Sequence, residues 1–188
     1  MVEKKENVFV DHVVKVRRVT KVTKGGKRFS FSAFVVTGNK DGMVGIASGK
    51  SRDVASAIGK AINKARKRMI AVALRENTVS YAVQGKHGAS KVIICPASKG
   101  TGIIAGGAVR AIMDALGVDD VLSKAIGSSN GQNVAKAALN ALSKIRSAKH
   151  IAHLRGKKSI KEMVGHEPAN EKVASAKTAG KDMVGSTL

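Results

Sequence analysis

The chain has 188 residues, 34 of them Lys or Arg against 13 Asp or Glu, for a formal charge of +21 at pH 7. So basic a balance makes nucleic acid the leading partner, while 43% hydrophobic residues in periodic runs exclude a wholly disordered polycation. Aromatic residues are only 3% of the chain, too few for rows of base-stacking platforms, so recognition is expected to rest on phosphates, sugars and shape.

The first segment reads β-β-β-α. A strand is expected over residues 13–22, with an alternation that slips between Val16 and Val19 and suggests a bulge there. A turn at Gly25-Gly26 leads to a second strand over 29–37. Asn39-Lys40-Asp41-Gly42 supplies hairpin chemistry before a third strand over 43–48. A helix is expected over 52–74, burying a stripe of Val54, Ile58, Ala61, Ile62, Ala65, Met69 and Val72. Residues 75–78 read as a linker.

Beyond it, strands are expected over 79–83 and 91–95, separated by a polar loop over 84–90. A glycine-rich loop over 99–107 opens into a helix through Val109, Ile112, Met113 and Leu116, stopped by Gly117. A short strand over 121–126 and a last long helix over 133–145 follow. From Arg146 the chain is basic, Ser159 with Glu162 makes a capping box for a small helix, and disorder is expected from residue 167.

The charges are concentrated. Lys15, Arg17, Arg18, Lys21, Lys24, Lys27 and Arg28 fall in the first strand and its turn without an intervening acid. Such density is useful chiefly when a polyanion neutralises it, and Gly25-Gly26 allows close backbone approach. Lys60, Lys64, Lys67 and Arg68 share a helix face, with Lys50 and Arg52 just before the helix. These residues are expected to contact RNA phosphates rather than form an ordinary solvated face.

The sharper alternatives are enzymatic. Gly100-x-Gly102-x-x-Ala105 follows a strand, opens a helix and has Asp119 about twenty residues beyond, as a dinucleotide fingerprint does. Against it, Pro96 and three more residues separate strand from glycine, and too few βα units remain for a doubly wound sheet. No catalytic constellation is expected: His87 lacks a Ser or Asp partner at catalytic spacing, and adjacent Asp119 and Asp120 should point apart. No metal or other cofactor is expected either. His150 and His153 lack matching ligands nearby, and the single Cys95, in the apolar run VIICPA, reads as a buried inert thiol in a reducing cytosol. The opening MVEKKENVFVD has no apolar signal core and no run reaches about 18 apolar residues, so a soluble cytoplasmic chain without a membrane partner is expected.

Three blocks taken together carry a family resemblance: VTKGGKRFSFSAFVVTGNKDGMVG, ASGKSRDVASAIGKA, and ICPASKGTGIIAGGAVRAIMDALGV followed by DVLSKAIGSSNGQNV. In unbroken order over residues 10–165 they resemble the bacterial-type family of small-ribosomal-subunit protein five. The resemblance implies an α+β fold of two small α/β domains. Residues 8–74 would resemble the double-stranded-RNA-binding fold without its leading helix. Residues 78–148 would form the family's C-terminal fold with a left-handed βαβ crossover, and residues 149–188 a basic extension. It implies a structural, non-enzymatic subunit that binds small-subunit ribosomal RNA at the head–body junction, touches ribosomal proteins four and eight, lies near the messenger-RNA entry channel and influences decoding accuracy. A homo-oligomer is not implied. By position, the loop over 20–28 corresponds to the family's hairpin at the neck, beside the spectinomycin site, and Gly102 and Arg110 to positions facing ribosomal protein four. The chain departs from the family at Lys99, where an acid is common, and at Asn130-Gly131, where many relatives carry Asn-Pro.

Overall fold

Three β-branched runs punctuated by two tight turns fold into an antiparallel meander: β1 (Val10–Thr23), β2 (Gly26–Gly38) and β3 (Met43–Ser51). This computed structural model describes residues 9–75 and 77–156. The small helix over 159 onwards and the tail lie outside the described residues. Described residues up to Arg146 form one compact unit and those from Ser147 a second.

The β1–β2 register shifts between Val13 and Lys15, so the irregularity lies at Val14 and not between Val16 and Val19. From Lys15 to Thr23 the ladder is regular, and Val16 and Val19 fall on opposite faces. Alternation is enforced only where one face is buried, and here Val16 is 39% exposed.

One face of this sheet is covered by α1 (Val54–Arg66), whose N-cap Asp53 accepts a hydrogen bond from Ser56 N at 3.1 Å. The buried stripe is Ala57, Ala61 and Ala65, with Ile58 and Ile62 only partly buried, against Ala33 and Val35 of β2. Alanine faces the sheet because the helix lies close to it. A Cβ on Gly49 would meet the carbonyl oxygen of Ala57 and come within 2.6 Å of Ala61 N. The expected helix over 52–74 is therefore too long. After Arg66 the chain turns, and β4 (Ile70–Ala71) pairs with Val44 and Met43 of β3. Helix propensity continues past Arg66, but an open β3 edge offers these backbone groups partners: Val72 N donates to Gly42 O at 2.8 Å. Residues read as a linker are paired as well, β5 (Leu74–Arg75) with β6 (Thr78–Val79).

The second sheet has the order β7-β8-β10-β9, from β7 (Val83–His87), β8 (Ser90–Pro96), β9 (Ile103–Ile104) and β10 (Val121–Gly127). The stretch over 84–90 is mostly strand rather than loop. Gln84 and Lys86 are the outward half of β7, while Gly85 lies so close to α3 (Gly131–Leu142) that a Cβ would come within 2.5 Å of Ala141 N. β9 and β10 run parallel and are joined through α2 (Gly107–Leu116), making a βαβ unit. The expected α2 residues Val109, Ile112, Met113 and Leu116 are buried, and Gly117 ends the helix at φ 85°. Cys95 is half-buried on the outward side of β8, not buried as expected, because its inward neighbour Ile94 takes the core position.

The two halves share a hydrophobic cluster: Phe34, Val36 and Val44 of the first sheet pack with Ile112, Met113 and Leu116 of α2. The turn after β2 closes the last turn of α2, with Lys40 N donating to Ala115 O at 3.0 Å and Gly42 N to Leu116 O at 3.1 Å. His12 Nε2 lies 2.6 Å from Asp114 Oδ2 beside this contact. These two α+β halves, strands then helix first and mixed sheet with helices second, are the fold class expected. In the second unit, α4 (Ala148–Leu154) begins at Ser147, whose hydroxyl accepts from His150 N at 3.3 Å. That helix was not expected.

Candidate nucleic-acid interface

β1 and β2 pair along their whole length, whereas β3 joins β2 only between Phe31 and Gly38. The far end of the hairpin is therefore a two-stranded ribbon that projects about 15 Å past the three-stranded sheet. Its turn is locked by Thr23 Oγ1 donating to Gly26 O at 3.0 Å. Gly26 has φ 122°, a conformation that requires glycine. Gly25 has no such requirement, and nothing lies within 4 Å of a Cβ placed on it. The chain's own packing does not account for a missing side chain there.

Residues directly opposite one another share a face, so the ribbon has two distinct surfaces. Lys15, Arg17 and Lys21 stand opposite Phe34, Ser32 and Arg28, and Lys50 lies across Ser32 from Arg17. Lys21 against Arg28 is a like-charge cross-strand pair, an arrangement that destabilises a hairpin by a few tenths of a kcal/mol or more. Arg18 lies on the other surface, with its guanidinium 3.7 Å from the centroid of the Phe29 ring, and Lys27 opposite Val22 lies there too. Lys24 is at the turn.

Arg52 precedes α1, and Lys60 reaches Ser51 Oγ at 3.4 Å. Lys60 and Lys64 are four residues apart on the helix and Lys67 is its C-cap. Arg68 falls in the turn that follows, donating its N–H to Ala65 O at 2.9 Å. The cations expected to bind RNA, from Lys15 to Lys67, are all exposed. Among the described residues none of them lies within 4.0 Å of a carboxylate. The ion pairs there are Arg66 with Asp11 and Lys40 with Asp114, with His12 Nε2 beside the same Asp114 carboxylate.

Most of the described acids are engaged within the fold. Asp11 holds Arg66 at 2.9 Å, Asp53 caps α1, and Asp119 accepts from Asn77 Nδ2 at 2.7 Å. Asp120 is 5% exposed, and its Oδ1 accepts from Gly100 N at 3.0 Å and Gly102 N at 2.9 Å. This disposes of the nucleotide alternative physically: the loop amides that would cradle a phosphate already hold a carboxylate. Asp119 and Asp120 do point to different partners. The acid that anchors the loop is Asp120, not the Asp119 whose spacing from Gly100 resembles a dinucleotide fingerprint. Around β9, the Arg110 guanidinium donates to Ile103 O at 3.3 Å, which brings it beside Gly102. Arg110 is exposed and Gly102 half-buried.

Comparison with known proteins accords with this arrangement. Residues 9–73 match the family model described as the N-terminal domain of ribosomal protein S5, and residues 85–155 the C-terminal domain. The chain is 52% identical over 155 residues to small ribosomal subunit protein uS5 of Lawsonia intracellularis, covering 82% of this chain and 95% of that protein. It is 46% identical over 175 residues to the uS5 of Paramagnetospirillum magneticum, covering 93% and 83% of the two chains. The uS5 of Pelagibacter ubique is 49% identical over 157 residues, covering 83% of this chain and 92% of that protein. With both halves of the fold matched and half of all positions identical across most of its length, the chain belongs to the uS5 family of small-ribosomal-subunit proteins.

Proposed function

We propose that this structural, non-enzymatic constituent of the cytoplasmic small ribosomal subunit binds small-subunit ribosomal RNA through the β1–β2 ribbon and the exposed lysines of α1. The observation that carries the reading is the separation of charge. The described acids are largely spent on caps, loops and ion pairs, while Lys21 and Arg28 face one another with no carboxylate within 4.0 Å among the described residues. A chain that tolerates that repulsion gains from it when phosphates arrive.

Residues 8–74 serve in this reading as the RNA-binding domain and residues 78–148 as a second domain that docks on protein, with 149–188 a basic extension. The ribbon enters the head–body junction, with Gly25 open for a close backbone approach. Gly102 and Arg110 face ribosomal protein four, ribosomal protein eight is a further neighbour, and the messenger-RNA entry channel lies close by. Rigidity of the neck and of that protein contact is how the subunit contributes to decoding accuracy.

The test is a titration of the full chain with small-subunit ribosomal RNA at several salt concentrations. Neutralising about six phosphates makes log K fall against log salt with a slope of roughly −4 to −5. A slope near zero, or saturable binding of a free nucleotide in place of RNA, refutes the reading.

A further inference from the structure

The ribbon's second surface has a chemistry that phosphate contacts do not explain. Phe29 is 46% exposed and Val22 72% exposed, both on the face opposite Lys21 and Arg28. On the side of Phe29 away from Val22, Arg18 sits over the Phe29 ring with its guanidinium carbon 3.7 Å from the centroid. The other cation–ring pair in the fold makes a useful contrast: Arg66 sits over Phe9 at 5.0 Å, but its guanidinium is held by Asp11 at 2.9 Å and is thereby spent. Arg18 has no carboxylate within 4.0 Å among the described residues, and its own side chain is exposed. The guanidinium carbon is 3.7 Å from the ring centroid, and the residue is exposed to solvent.

The geometry points to a stacking site for one unpaired nucleobase, formed by Arg18 on its Phe29 platform. This rests on the RNA-binding reading above and extends it from phosphates to a base. RNA bases that leave the helix stack on arginine planes as readily as on aromatic rings. Phe29 is a positioning residue here: by fixing the guanidinium it removes rotamer freedom that a base would otherwise have to restrain. Lys27, opposite Val22 on the same face, adds a cation that the phosphate of the stacked nucleotide would meet.

The test uses the full chain and two RNA stem-loops of the same stem, one fully paired and one with a single-purine bulge. The wild type binds the bulged RNA about fivefold more tightly, the scale of one modest stacking contact. Phe29→Leu and Arg18→Lys each abolish that preference without changing the salt slope, because neither alters charge. Phe29→Tyr keeps it, and Lys24→Gln weakens both RNAs equally. Arg18→Lys changes an exposed side chain, so it remains informative if Phe29→Leu misfolds. Equal binding of the two RNAs by the wild type overturns the stacking site and leaves the RNA-binding reading standing, as does a bulge preference retained in Arg18→Lys. Binding of neither RNA overturns both.

Discussion

Replacing Asp120 tests how the glycine loop is held. Its Oδ1 receives the amides of Gly100 and Gly102 at 3.0 and 2.9 Å, and the side chain belongs to a residue only 5% exposed. Asp120→Ala strands two donors, at about 1–3 kcal/mol each when fully buried. Gly100 itself is exposed and water will reach its amide, so the lower end applies and the sum is about 2–3 kcal/mol. With a urea m-value of about 2 kcal/mol/M, the midpoint falls by roughly 1–1.5 M. Asp120→Asn keeps an acceptor and loses only the charge-assisted part, so it is expected to cost about 1 kcal/mol. Thr78 Oγ1 donates to the backbone oxygen of Asp120 at 2.6 Å and is untouched by either change. Urea unfolding followed by circular dichroism checks the series. If Asp120→Ala unfolds at the wild-type midpoint, the carboxylate is not the anchor and the loop's amides are free after all.

Other expectations separate stability from binding. Changing Lys21 and Arg28 together to Gln removes the cross-strand repulsion, so thermal stability is unchanged or slightly higher while RNA affinity falls and the salt slope loses about two; parallel losses in both would contradict the charge argument. Gly25→Ala leaves the unfolding free energy within about 0.5 kcal/mol of wild type, since its site is open, but weakens RNA binding; full affinity would mean the backbone is not closely approached. Gly49→Ala drives a methyl into the backbone of α1 and is expected to destabilise by about 3 kcal/mol, measured by urea unfolding, with a silent substitution showing that helix and sheet are not in contact there.

The location of the cations was legible from spacing alone, because exposed lysines need no tertiary partner to be exposed. Their grouping was not. Arg17 and Arg18 are adjacent in sequence and were both read as phosphate contacts, yet the ladder sends them to opposite faces, one beside Lys50 and the other onto Phe29. Phe29 shares a face with the buried Ala33 and Val35, yet it stays exposed because β3 ends its pairing with β2 at Phe31. Arg66 pairs with Asp11 of β1 across 55 residues, a contact that local spacing does not announce.

Alone, the amino-acid order determined the polyanion-seeking character, the opening β-β-β-α order, the α2 core stripe, and the turns at Gly26 and Gly117, since charge and local backbone freedom act over a few residues. Tertiary structure decided where α1 stops, which acids are consumed, and which face each arginine serves. Those outcomes depend on competition between distant groups: the β3 edge outbid helix propensity at Ile70, and Asp120 filled a loop that sequence spacing had offered to a nucleotide.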